Sequence, residues 1–203
     1  LLSIILALPS FVLAQDTLGE VRSFNVESSY DLSERSELSA ISIKISAKLY
    51  WYLDNTWWGK LTSEEQDNVK ASLNVLTEEF ESKIYPTLTS TFGSEWNPGI
   101  DKDSRITILI HPMKKNSGVY TNTSDEYPKI QVPSSNEREM IYLNSDYLGF
   151  DIIKSFLAHE FVHLITFNQK DKLLGISDDI WLNEARAEYA PTLLGYDRNY
   201  SGT

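Results

Sequence analysis

An α+β fold is predicted by three features of this 203-residue chain. Short runs with strand character occupy its middle. Ile41, Ile43 and Ile45 alternate with Ser42, Lys44 and Ser46, and residues 105–110 (Arg-Ile-Thr-Ile-Leu-Ile) and 140–143 (Met-Ile-Tyr-Leu) are apolar runs beside turn formers. One long helix separates the first run from the others, with Val69, Leu73, Leu76, Phe80 and Ile84 at helical spacing. Two further helical runs, residues 152–167 and about 181–190, close the chain. That order predicts a mixed sheet with a covering helix, followed by two helices that face each other.

Residues 1–14 are uncharged and mostly aliphatic, and Val12-Leu13-Ala14 before Gln15 puts short residues where a signal peptidase cuts. A secretory signal remnant is therefore expected there. With no Met and no basic segment before it, its true start is expected upstream, and it is too short for a membrane span. Residues 15–39 are polar and read as a linker, a propeptide remnant or an edge segment. The folded domain is expected over residues 40–203. Its aromatic stretch Leu49-Tyr50-Trp51-Tyr52, with Trp57 and Trp58 beyond the turn at Asp54-Asn55, reads as core.

Thr62-Ser63-Glu64-Glu65-Gln66 offers two capping-box pairs, Thr62 with Glu65 and Ser63 with Gln66, and the helix is expected to run to Pro86. Asn97-Pro98-Gly99 breaks the chain. Asp101-Lys102-Asp103-Ser104 has carboxylates two apart, as calcium loops do, but it lacks a third acid or a distal Glu and reads as a turn. His111, at the end of a strand, reads as structural. Residues 114–133 are expected to form loops and a short hairpin, and Asn144-Ser145-Asp146 a turn.

The chemistry is concentrated in His159-Glu160-Phe161-Val162-His163. On a helix the two His lie four residues apart, so both imidazoles leave one face and can share a metal ion. Glu160 then sits beside that ion without ligating it, in reach of a metal-bound water whose proton it can take. This is the HExxH arrangement of zinc peptidases. An open tetrahedral zinc site needs three protein ligands, and a carboxylate on the next helix would complete the set. That helix carries Trp181-Leu182-Asn183-Glu184-Ala185-Arg186-Ala187-Glu188-Tyr189, with Ser177 or Asp178 as its expected N-cap and a turn at residues 172–175.

HExxH followed by this Trp-Leu-Asn-Glu-x-x-Ala-Glu-Tyr helix resembles the gluzincin group of metallopeptidases. Residues 116–120 (Asn-Ser-Gly-Val-Tyr) and 135–143 (Ser-Asn-Glu-Arg-Glu-Met-Ile-Tyr-Leu) resemble the hyicolysin family of secreted bacterial metallopeptidases within it. The resemblance covers roughly the second half of the chain. It implies a zincin-like catalytic domain over residues 40–203, incomplete at the C-terminus where a helical lobe would follow. It also implies Zn2+ on His159, His163 and Glu184, with Asn183 and Glu188 behind the ligands, orienting the imidazoles. The implied activity is secreted endopeptidase, hydrolysing protein or peptide by a zinc-activated water with Glu160 as general base. No Gly-x-Met-Glu-Asn stretch of the aminopeptidase kind is present. No residue can be named for the oxyanion. Residues 118–121 and 140–143 are two candidates for the sheet edge that pairs with extended substrate.

A formal net charge of −11 with no basic run argues against nucleic acid and against a polybasic membrane contact. The absence of Cys removes disulfides and a lipid-attached cysteine, so stability outside a cell would rest on the core and the metal, by a bacterial or archaeal export route. Two other readings stand beside the enzyme. One is an inactive extracellular binding or adhesion module on the same fold; the other is a helix pair in which the His spacing is incidental.

Overall fold

The computed structural model describes residues 15–115 and 117–196. The expected signal remnant at residues 1–14, Asn116 and residues 197–203 lie outside the described residues. Among the described residues, six strands form one sheet: β1 Val21–Asn25, β2 Glu37–Ile45, β3 Leu49–Asp54, β4 Ile106–His111, β5 Val119–Tyr120 and β6 Met140–Asn144. Their order is β1-β2-β3-β4-β6-β5. The first three form an antiparallel meander, β4 and β6 continue parallel to β3, and β5 returns antiparallel to β6. The helices are α1 Asn55–Trp58, α2 Ser63–Glu79, α3 Tyr85–Phe92, α4 Ile152–Thr166 and α5 Ile180–Leu193. The architecture is α+β with a mixed sheet, compatible with a metalloprotease domain.

Alternation along the strands builds two cores. Leu49, Trp51, Leu53, Ile106, Ile108, Ile110, Ile141 and Leu143 face α2, α3 and α4. Tyr50, Tyr52, Leu109, Met140 and Tyr142 face the other way, against Phe24, Leu38 and Tyr120. The second face is covered by loops rather than helices, and the buried tyrosines meet carboxylates there. Tyr52 donates to Asp16 at 2.8 Å and Tyr142 to Asp125 at 2.5 Å. The aromatic stretch of β3 is therefore core, as expected.

Several boundaries moved for physical reasons. Thr62 and Glu65, not Ser63 and Gln66, form the capping box of α2. Pro86 does not end the helical run: a π-helical turn, Phe80–Ile84, shifts the hydrogen-bond register, and Pro86 falls in the first turn of α3, where a missing N–H costs nothing. Residues 15–39 pack as an edge segment rather than a free linker. They supply β1, the start of β2 and a buried Asp16 whose carboxylate Arg138 grips at 2.5 and 2.9 Å. The Asp101 to Ser104 stretch is a turn, with Asp101 Oδ1 accepting from the Asp103 amide.

His111 is structural, buried with Asp31 and Asp54 at the C-terminal ends of β3 and β4 in a network that the partly exposed Arg35 closes. Its Nδ1 lies 3.1 Å from Asp31 Oδ2, and Arg35 bridges Asp31 and Asp54 at 2.7 and 2.6 Å. Burial alone would raise the Asp31 carboxyl, but the Arg35 guanidinium and the Arg35 and Ser33 amides outweigh it and hold it at about 2. Burial lowers His111 from its ordinary 6.5 despite the pull of Asp31. Both shifts have the same sign for folding. Asp31 contributes stability that is fully present above the ordinary carboxyl value of 3.8 and is lost as pH falls toward 2. A pH series of urea melts should show Asp31→Asn less stable than the parent by about 1–2 kcal/mol at pH 6, with the gap closing toward pH 2. A gap that is constant over that range would show that Asp31 acts by packing alone.

Candidate metal centre

α4 is built from bulky apolar residues buried nearly all round, including Leu157, Phe161, Val162 and Ile165, so tertiary packing rather than helix propensity fixes its axis. His159 and His163, four residues apart, leave the same face. After α4 a second π-helical turn, Phe167–Lys172, and the stretch to Asp179 reverse the chain into α5. Asp179, rather than Ser177 or Asp178, is the N-cap residue, while Asp178 pairs with Arg186 on α5. The two helices are antiparallel: Asn183 meets His163, and Glu188, further along α5, meets His159, which is earlier on α4.

The structure brings the three expected ligands together. His159 Nε2 lies 3.1 Å from His163 Nε2 and 3.5 Å from Glu184 Oε2, and His163 Nε2 lies 3.7 Å from Glu184 Oε1. Among the described residues this is the one group of three His, Cys, Asp or Glu donors within 4.8 Å of one another. A tetrahedral ion with bonds of about 2.0–2.2 Å sets its donors about 3.3–3.6 Å apart, and the separations of 3.1, 3.5 and 3.7 Å, the last two to different Glu184 oxygens, are close to what Zn2+ needs. Two nitrogens and one oxygen suit zinc better than calcium or magnesium, which take oxygen alone.

The surroundings favour ligation. Burial, followed by repulsion from His163, lowers His159 to about 4, so its ring is neutral at neutral pH and Nε2 keeps a lone pair. His163 Nδ1 lies 3.1 Å from Asn183 Oδ1, an arrangement in which Nδ1–H donates and Nε2 is left for the metal. Glu188 Oε1 stands 3.9 Å from His159 Nδ1, behind the other ring. Asn183 and Glu188 thus stand at the Nδ1 sides of the two imidazoles. Glu184 is 49% exposed, so the centre is closed by α4 on one side and open to solvent on the other.

Glu160 is buried beside this group and does not join it. Burial pushes its carboxyl up to about 7, opposed by His163 and by hydrogen bonds from the side chain and amide of Thr121. A dication at the neighbouring triangle would pull it down again, leaving a carboxylate able to take a proton. Thr121 falls in one of the two candidate edges, but nothing in the sequence ties it to Glu160. It reaches Glu160 because β5 lies close against α4 at Gly118, where a Cβ would come within 2.9 Å of the Phe156 ring. Of the two candidate edges, residues 118–121 include β5, which ends the sheet. Residues 140–143 fall in β6, paired on both sides, and cannot take up a further strand.

No family model matches the chain. It is 29% identical over 196 residues to the neutral metalloprotease ShpI of Staphylococcus hyicus, an alignment that covers 86% of this chain. The likeness supports a metalloprotease relationship. The chain spans 40% of that relative's length. Among the described residues no helix is long and apolar enough to cross a membrane.

Proposed function

We propose that the chain is the catalytic part of a secreted zinc endopeptidase of the gluzincin type, near the hyicolysin family. The observation that carries this reading is the convergence of His159 Nε2 and His163 Nε2, 3.1 Å apart, on the Glu184 carboxylate, whose Oε2 and Oε1 stand 3.5 Å from the first and 3.7 Å from the second, beside a buried Glu160 that does not join them. His159, His163 and Glu184 would hold Zn2+, and Asn183 and Glu188 would keep the imidazoles turned toward it. Bound zinc supplies Lewis-acid chemistry, lowering the pKa of water and polarising a carbonyl.

The chain's own residues do the rest. β5 offers its free edge to an extended peptide, main chain to main chain, and lays the scissile bond across the mouth of the α4/α5 pair. Glu160, held by Thr121, takes a proton from the attacking water and delivers it to the leaving amine. The stretch of small and aliphatic residues at 1–14 supports export.

Metal removal tests the proposal. The purified full-length protein should contain about one zinc per chain and cleave casein. Chelation with 1,10-phenanthroline should abolish cleavage, and equimolar zinc should restore it. Zinc uptake without turnover on any protein or peptide library would instead support a binding module.

A further inference from the structure

Away from the His and Glu triangle, an open cavity of about 810 Å³ lies where β3, β4 and β6 begin, and Gln15 stands on its wall together with Asp101. Asp16, next in the chain, fixes that place. Its buried carboxylate accepts from Arg138 at 2.5 and 2.9 Å and from the Tyr52 hydroxyl at 2.8 Å, and it pairs with Arg22 at 2.6 Å. The main chain at Gln15 is thus one residue away from a buried clamp.

The other charges on the wall are matched, with one exception. Arg138 and Arg22 are taken up by Asp16, and Arg22 also reaches Glu20 at 2.7 Å. Asp103 accepts from Tyr50 at 2.6 Å and from Arg105 at 3.1 Å. Glu137 accepts the Lys129 amide at 2.9 Å, and the Lys102 ammonium lies 6.0 Å from the centre of the Trp96 ring. Asp101 is left over. The Asp103 amide donates to its Oδ1 at 2.9 Å, and among the described residues it forms no ion pair. Burial, with the charges of Asp103 and Asp16 adding to it, raises its carboxyl from the ordinary 3.8 against the pull of the Asp103 amide and Arg138. One more positive charge would suit it.

The sequence supplies that charge at the neighbouring position. Val12-Leu13-Ala14 sets a signal-peptidase cut before Gln15. In the uncut chain the Gln15 nitrogen is an uncharged amide, and the cut turns it into an α-ammonium. We propose that export processing makes Gln15 the amino terminus and that its α-ammonium binds in this cavity against Asp101, fastening the 15–39 segment to the start of β4. The pair contributes stability that is fully present below the ordinary α-amino value of about 8 and is lost as pH rises beyond it. It also preserves the residue. A free amino-terminal glutamine closes on itself: the α-amine attacks its own side-chain amide carbon, a ring C–N bond forms, and the side-chain nitrogen leaves as ammonia. Attack needs the lone pair of the amine, which an ammonium held by a carboxylate lacks, so the bound terminus stays open and charged.

The test uses the full-length protein purified after export, and its readouts are mass and melting temperature, so it is decided whether or not the protein cleaves peptides. Mass spectrometry of the amino-terminal peptide should show a chain that starts at Gln15 with its ammonia retained. Held at pH 8, Asp101→Asn should lose ammonia from that terminus roughly 3–10 times faster than the parent. Two further chains, released from a removable tag, begin at Gln15 and at Ala14; the second keeps an ammonium but displaces it by one residue. The chain beginning at Ala14 should melt roughly 2–4 °C lower at pH 7, with the gap closing by about pH 10. All its side chains beyond Ala14 are parental, so it decides the matter even if Asp101→Asn does not fold. An amino terminus elsewhere in the exported protein, equal loss of ammonia in parent and Asp101→Asn, or equal melting of the two tag-released chains would each overturn the proposal.

Discussion

Glu160→Gln should keep one zinc per chain and lose proteolysis, with kcat/KM reduced by about 10²- to 10⁴-fold, the range that general acid–base catalysis contributes. Glu160 is buried and outside the donor triangle, so an isosteric amide leaves His159, His163 and Glu184 where they are. The amide oxygen can still accept from Thr121, so the position of the side chain is retained too. What disappears is the ability to accept a proton from water and return it to the amine. Zinc content by atomic absorption, read beside cleavage of a fluorogenic peptide, separates this from loss of the site. Near-parental turnover with zinc bound would remove Glu160 from the reaction. Loss of zinc along with activity would mean that the residue supports the fold of α4 instead.

How far the sequence could be read depends on the range of the interactions involved. The pairing of His159 with His163 and of Glu184 with Glu188 is set by helical spacing within each element, and such spacing is visible in a string of residues. The facing of α4 and α5 needed one further inference, that a short reversal joins them; the place of Asn183 was implied by the resemblance alone, and its Oδ1 lies 3.1 Å from His163 Nδ1. The strands at residues 41–45, 105–110 and 140–143 were legible for the same local reason. What stayed hidden rests on long-range contact. The choice between residues 118–121 and 140–143 as the sheet edge is decided by pairing order, which two residues, Val119 and Tyr120, cannot announce. Thr121 reaches Glu160 only because Gly118 lets the strand approach Phe156. Residues 15–39 read as a linker, a propeptide remnant or an edge segment because they are polar, yet Asp16 and Asp31 are buried against Arg138 and Arg35. A carboxylate matched with a distant arginine looks like a solvated residue until the fold brings the partner in.

Glu184→Ala should abolish zinc retention and with it activity, while leaving the metal-free fold nearly unchanged. The side chain is 49% exposed, and its partners among the described residues are the two imidazoles. Its truncation opens no cavity and strands no buried donor, so the metal-free melting temperature should move only by what an exposed substitution costs, within about 0.5 kcal/mol. The metal loses one of three donors and is left on a His pair that closes only one edge of the tetrahedron. Affinity should fall by more than the about 10–100-fold that loss of a group behind a ligand costs. The upward shift in melting temperature on adding zinc, present in the parent, should vanish at the same zinc concentration. Glu184→Asp keeps the carboxylate but shortens the reach by one methylene. The two carboxylate oxygens stand 3.5 and 3.7 Å from the imidazole nitrogens and leave little slack, so zinc should bind weakly and activity should recover only in part. If Glu184→Ala holds zinc as tightly as the parent, another group occupies that corner, and the ligand set must be redrawn around the two imidazoles.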